Sequence, residues 1–305
     1  MGAESCSGSA CHGNSAPRTK LKIAQNEFYI WSQKDLHSKG YEVLLGADGK
    51  RMAQLLKIEK PEKSQRCLAC HAVDTDNARQ GTLYDMAEGV RCEGCHGAAE
   101  RWWGPHIRKD WDAKRAADLG MYNTKDLGKR AEKCLTCHMG TGSDIVDHEL
   151  IGAGHPRLKF ELDNYSHAMP AHWLPSKEKA ERDWVGARAW AISQAVALKT
   201  QLQLLVGSRK TRQVMWPDLI HFDCYACHHG VVDRVRDLTE EDKKDQRWRT
   251  RDYGGKPGRL VWNAGHYTVF RYFVQQAMPD QAKVLDQAVT AFHEGLTGKR
   301  SPEGF

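Results

Sequence analysis

Ten cysteines stand in the chain, and all ten fall into pairs that end on a histidine. Four pairs are C-x-x-C-H: Cys67–Cys70–His71, Cys92–Cys95–His96, Cys134–Cys137–His138 and Cys224–Cys227–His228. The fifth, Cys6–Cys11–His12, is wider, with four residues between its cysteines. Paired thiols can hold zinc, and Cys67/Cys70 with Cys92/Cys95 comes close to a zinc-ribbon spacing. An even cysteine count also suits a disulfide framework in an exported chain. Neither accounts for the histidines. With 15 His in 305 residues, five of five second cysteines followed by His has a chance probability of roughly 3 in 10 million on independent draws. Covalent haem attachment accounts for every residue. Two thiols add to the two vinyl groups on one porphyrin edge, and the next residue offers its imidazole to the iron. The expectation is five c-type haems, with thioethers at the ten cysteines and proximal ligands at His12, His71, His96, His138 and His228. No thiol is then left over as a nucleophile or redox group.

Ten histidines remain, and a low-potential carrier needs a second imidazole on each iron. Such a ligand coordinates through a neutral nitrogen, and its other nitrogen usually needs a hydrogen-bond partner. His37 shares a helical face with Tyr41 and Leu44, which also suits a packed core histidine. His106 follows Gly104-Pro105 in a tight turn. His148 and His155 lie among glycines, and Pro156 biases His155 to an extended backbone. His172 precedes Trp173, and His266 lies in a terminal helical stretch with Trp262, Tyr267 and Phe270. These six are the distal candidates, with His167 behind them. His229 and His221 adjoin their own motif, and His293 reads as surface. A methionine ligand has no positional support. Trp102, Trp103, Trp111 and Trp173 read as packing against haem edges.

The segment Gly89-Val-Arg-Cys-Glu-Gly-Cys-His-Gly97, followed by Gly104-Pro-His106, resembles the third haem site of the tetrahaem cytochrome c-554 family. That family carries electrons away from hydroxylamine oxidation. The similarity covers about residues 5–140 and includes the order of the first four motifs and the helix bearing His37. The stretch from Asp147 to Glu161 is similar to a segment of related multihaem cytochromes. The resemblance implies that His106 is the distal ligand of the first haem and His37 that of the haem on Cys92/Cys95. It also implies an open distal face on the haem of Cys67/Cys70. The wide first motif, the fifth motif and the long C-terminal part depart from the family.

The elements that must position these residues are mainly α-helical, in a multihaem cytochrome fold with long haem-wrapping loops and little or no β-sheet. Phe28, Trp31, Leu36, Tyr41, Val43 and Leu44 recur at helical spacing. A helix is expected over about 176–208, and two more over about 258–277 and 280–296, separated by Pro279. Residues 141–176 are rich in Gly and Pro and read as irregular. Residues 232–252 are a charged run that reads as a solvated surface. The division expected is a haem-rich domain over 1–176 and a helical part over 177–305 carrying the fifth motif.

Hydrophobic residues are 40% and charged residues 28%, the balance of a folded globular chain. No run approaches the ~18 apolar residues of a membrane span. The formal charge of +6 does not read as a nucleic-acid footprint. Ferric haem with ionised propionates and neutral axial ligands carries about −1, so five of them bring the total to about +1. No export leader precedes Cys6, although haem attachment is extracytoplasmic. The expectation is a periplasmic or extracellular protein with its leader removed. Electron transfer between redox proteins or other cytochromes is the leading reading. A redox enzyme acting on a small nitrogen or sulfur compound at a five-coordinate haem is the first alternative. Self-assembly as a subunit of a conductive filament is the second.

Overall fold

A computed structural model describes residues 1–18, 20, 23–142, 144–173, 184–211, 218–224 and 260–297. Cys227, His228, His229 and the charged run at 232–252 lie outside them. The chain forms two compact units, Met1–Gly207 and Ser208–Phe305. This division comes later than residue 176. Among the described residues β-structure is limited to two isolated bridges, Thr141–Asp144 and Phe222–Trp262.

The first unit is built from short helices, four of which start on an acidic cap. The helical pattern from Phe28 to Leu44 is not one helix. Helix α1 (Glu27–Lys34) stops at Asp35, whose backbone is extended and whose carboxylate accepts the His37 N–H at 3.0 Å. A 3-10 turn over Leu36–Lys39 follows, then α2 (Glu42–Leu45) and α3 (Ala47–Leu55). His37 therefore sits in a capped turn rather than on a shared face with Tyr41 and Leu44. Next come α4 (Gln65–His71), α5 (Cys92–His96), α6 (Ala113–Asp118), α7 (Leu127–His138), α8 (His148–Gly152) and α9 (Leu162–Ala168). Asp112, Asp126, Asp147 and Glu161 accept backbone N–H groups at the starts of α6, α7, α8 and α9. Such caps satisfy donors that a helix start leaves open.

The unit's long helix is α10 (Val185–Thr211); the first residues of the helix expected from 176 lie outside the described set. Ala189 and Ala197 of α10 pack with Ala131 and Leu135 of α7, Phe160, and Leu162 of α9. Buried Ser193 accepts the Leu162 N–H at 3.1 Å. The helix that ends in the fourth motif is thus braced by residues beyond 176, which explains why the division falls near 207. A second cluster joins Leu44, Leu68 and Ala72, setting α2 against α4.

In the second unit, α11 (Gly265–Thr268) and α12 (Phe270–Ala277) take the place of the single helix expected over 258–277. Helix α13 (Pro279–Thr297) begins on its proline, where the missing N–H costs nothing. Phe270 and Val274 pack against Ala282, and Trp262, 1% exposed, meets the Phe292 ring at 5.2 Å. His293 is 3% exposed rather than a surface residue. It lies one helical turn after buried Val289, on the inward face. No helix among the described residues is long and apolar enough to cross a membrane.

Candidate functional site

Three motifs are wound as helix and end on their histidine: α4 at His71, α5 at His96 and α7 at His138. One helical turn puts cysteines three residues apart on one face, with the histidine close by. The wide motif reaches a similar result by another route. His12 donates its backbone N–H to the Cys6 carbonyl at 3.2 Å, and Cys11 donates to Gly8 at 2.8 Å. The His12–Cys6 bond replaces the one a helix would make four residues back, and the two extra residues are looped out.

Three of the motif histidines each face a histidine from elsewhere in the chain. His12 and His106 have ring centroids 6.3 Å apart and planes 13° apart. His71 and His155 are 6.3 Å apart with planes at 85°. His37 and His138 are 6.1 Å apart with planes at 83°. Two imidazoles sharing one metal through nitrogens about 2 Å away would have centroids about 6 Å apart. The ring of His37 is opposite His138 rather than His96, the partner implied by the family resemblance. The His37 carbonyl does lie beside the third motif, accepting the Val90 N–H at 2.9 Å. Gly89 permits that approach, with φ +66 and no Cβ to strike the same carbonyl. The face of His71 that the resemblance left open meets His155.

In five of the six paired rings the other nitrogen has an outer partner, as is usual for metal ligands. Nδ1 of His12 pairs with Glu27 at 2.9 Å and Nδ1 of His37 with Asp35 at 2.8 Å. Nδ1 of His71 donates to the Gly40 carbonyl and Nδ1 of His155 to the Pro156 carbonyl, each at 2.8 Å. Nδ1 of His106 donates to the Trp103 carbonyl. In each case Nε2 would be left for a metal, and the outer partner fixes the ring. The Glu27 and Asp35 carboxylates hold His12 and His37 above the usual imidazole range. Burial pushes His96 and His138 down to about 4 and lowers His71 and His172. Neutral imidazole is the coordinating form.

His172 lies within electrostatic reach of His96, and also of Asp35 and His37. His148 opens α8 and His266 lies in α11, both half-buried. His167 is exposed and donates to the Asp163 carbonyl. Trp102 and Trp111 flank the His106 ring edge-on at 5.7 and 6.4 Å.

The nine described cysteines are free of disulfides. Sulfurs of different motifs nevertheless meet. Cys6 lies beside Cys92, Cys70 beside Cys137, and Cys95 near Cys134.

Residues 6–97 match the family model of cytochrome c554 and c-prime, a span that runs from the first cysteine of the wide motif to just past His96. The chain is a c-type cytochrome resembling that family. No curated protein and no solved structure matches it. As a c-type cytochrome it holds haem covalently, and haem iron supplies one-electron chemistry. The cytochrome's own residues fit that group, because thiols, imidazoles and outer partners converge at the described motifs. Glu27, Asp35 and the contacts between motifs were not legible in the sequence. The spacing Asp35-x-His37 is the one local signal that would have suggested an outer partner.

Proposed function

We propose that this cytochrome is a pentahaem electron carrier whose haems are closed by histidine on both faces. The observation that carries the reading is the set of three histidine pairs at 6.1 to 6.3 Å, each joining a motif histidine to one outside any motif. The pairs are His12 with His106, His71 with His155, and His138 with His37. His172 serves His96. The fifth haem attaches at Cys224 and Cys227 with His228 proximal, and His266 is the candidate for its second ligand. The thiol contacts support an order in space of first, third, fourth and second haem. Electrons pass between haems that share an edge, and the chain's part is to hold the ligands, exclude water and set the local charge. Partners are redox proteins meeting an exposed haem edge through small, transient interfaces, in the periplasm or outside the cell. The catalytic alternative needed an open iron at Cys67/Cys70, and the His155 ring facing His71 weighs against it.

Electron paramagnetic resonance of the oxidised protein, with haem quantified on the same sample, tests this. Five haems per chain and no high-spin ferric signal are expected. Ring planes set the line shapes. Nearly parallel imidazoles split the iron d orbitals and give a rhombic low-spin signal. Nearly perpendicular ones leave two of those orbitals close in energy and give a strongly anisotropic signal. The His12/His106 site belongs to the first kind, and the His71/His155 and His138/His37 sites to the second. A high-spin signal worth one haem in the native protein would overturn the closed-haem reading.

A further inference from the structure

The second ligands are not held alike. His37 is tied to Asp35, a carboxylate buried at 5% exposure. His106 is set between Trp102 and Trp111. His155 hangs on a glycine-bounded segment. Gly154 before it has φ +112, and the ring's Nδ1 bonds the carbonyl of the adjoining Pro156. What holds this segment in place comes from two other helices. Arg66 of α4 reaches both carboxylate oxygens of Asp147 at 2.8 and 2.7 Å and Glu149 at 3.0 Å. Asp147 is 6% exposed and also caps α8 through the Leu150 N–H at 2.8 Å. Arg51 of α3 donates to the Ala153 carbonyl at 3.2 Å. Arg66 adjoins Cys67, so the clamp grips the same short helix that ends in His71.

We infer that the segment from Asp147 to Pro156 is a latch: Arg66, as positioning residue, and Arg51 seat His155 on the iron held through His71, and loosening them opens that position to a small uncharged diatomic ligand. This rests on the reading of His155 as the distal ligand of that haem. Charge-assisted bonds to a shielded carboxylate are the strong kind, so the anchor at Asp147 outweighs the local Pro156 bond in fixing where the strap lies. When the anchor is lost, Gly152 and Gly154 let the strap relax, because glycine adopts many backbone states without a steric penalty. Nε2 of His155 then leaves and the added ligand takes its place, with no change of oxidation state.

The test uses the full-length, haem-loaded protein and carbon monoxide as the probe. The carbon monoxide difference spectrum of the reduced protein and the high-spin ferric signal are both read per haem. His155→Ala is expected to open one haem in five. Arg66→Ala is expected to raise carbon monoxide occupancy at that haem about tenfold, the lower end of the effect of losing an outer partner of a metal ligand. Arg51→Ala is expected to move it the same way by less. If His155→Ala opens one haem while both arginine variants match the native protein, the latch fails and the ligand assignment stands. If His155→Ala opens none, the ligand assignment itself fails and the latch goes with it. Native protein that already binds carbon monoxide fully at one haem would also overturn the latch. Should Arg66→Ala lose haem, Arg51→Ala alone decides.

Discussion

Glu27 and Asp35 set two of the imidazoles apart from the rest. Each carboxylate accepts the Nδ1–H hydrogen bond of a ring that faces another histidine, His12 for Glu27 and His37 for Asp35. By contrast, His71 and His155 both donate to neutral backbone carbonyls. A carboxylate partner makes an imidazole a stronger electron donor, which favours the ferric state and lowers the potential. The haems served by His12 and His37 should therefore lie below the one served by His71 and His155. Glu27→Gln removes the charge and leaves one acceptor oxygen where two serve His12 Nδ1 and the Ala24 and Gln25 N–H groups. A charged hydrogen bond exceeds a neutral one by about 1 kcal/mol, so the first haem's potential should rise by about 40 mV. Spectroelectrochemical titration reads this; an unchanged potential would mean that the carboxylate does not tune that haem.

At the scale of elements, short helices and long connections follow from where the ligands must arrive. An α-helix continuing through residue 37 would follow one axis; the Asp35 cap turns the chain and presents His37 to His138 instead. The fourth motif depends on a conventional core, where Leu135 and Leu162 are each 1% exposed and pack with Phe160, Ala189 and Ala197. Leu162→Ala should destabilise the haem-loaded first unit by about 2–5 kcal/mol, as large-to-small core changes do. Denaturant unfolding followed by helix dichroism is the measurement, with haem content expected to stay unchanged. A midpoint equal to that of the native protein would show that packing against the porphyrins, rather than this cluster, carries the unit.

For the whole molecule, charge is the property most altered by the cofactors. The sequence isoelectric point is about 8.7, and on the proposed count of five, ferric haems at about −1 each would nearly cancel the formal charge of +6. Isoelectric focusing of the oxidised protein should therefore place it well below 8.7. Focusing near 8.7 would argue for fewer haems or for uncharged propionates. A nearly neutral carrier has little long-range electrostatic steering, so its encounters with redox partners should depend only weakly on salt.

The chemistry was legible in the residues, because thioether attachment needs two thiols and an adjoining histidine within a few residues. That constraint is local, so each motif and its histidine can be read without the fold. The sequence also showed a mainly helical chain, since hydrophobic spacing and helix starts are local too. The second ligands were visible only as candidates, because a distal imidazole arrives from tens of residues away and nothing near His37, His106 or His155 names its partner. Only the tertiary structure set His37 opposite His138 and His155 opposite His71, gave Glu27 to His12, and tied Asp147 to Arg66. Those pairings are decided by how turns at Asp35, Gly89 and Gly154 redirect the chain, and by which buried faces then pack together.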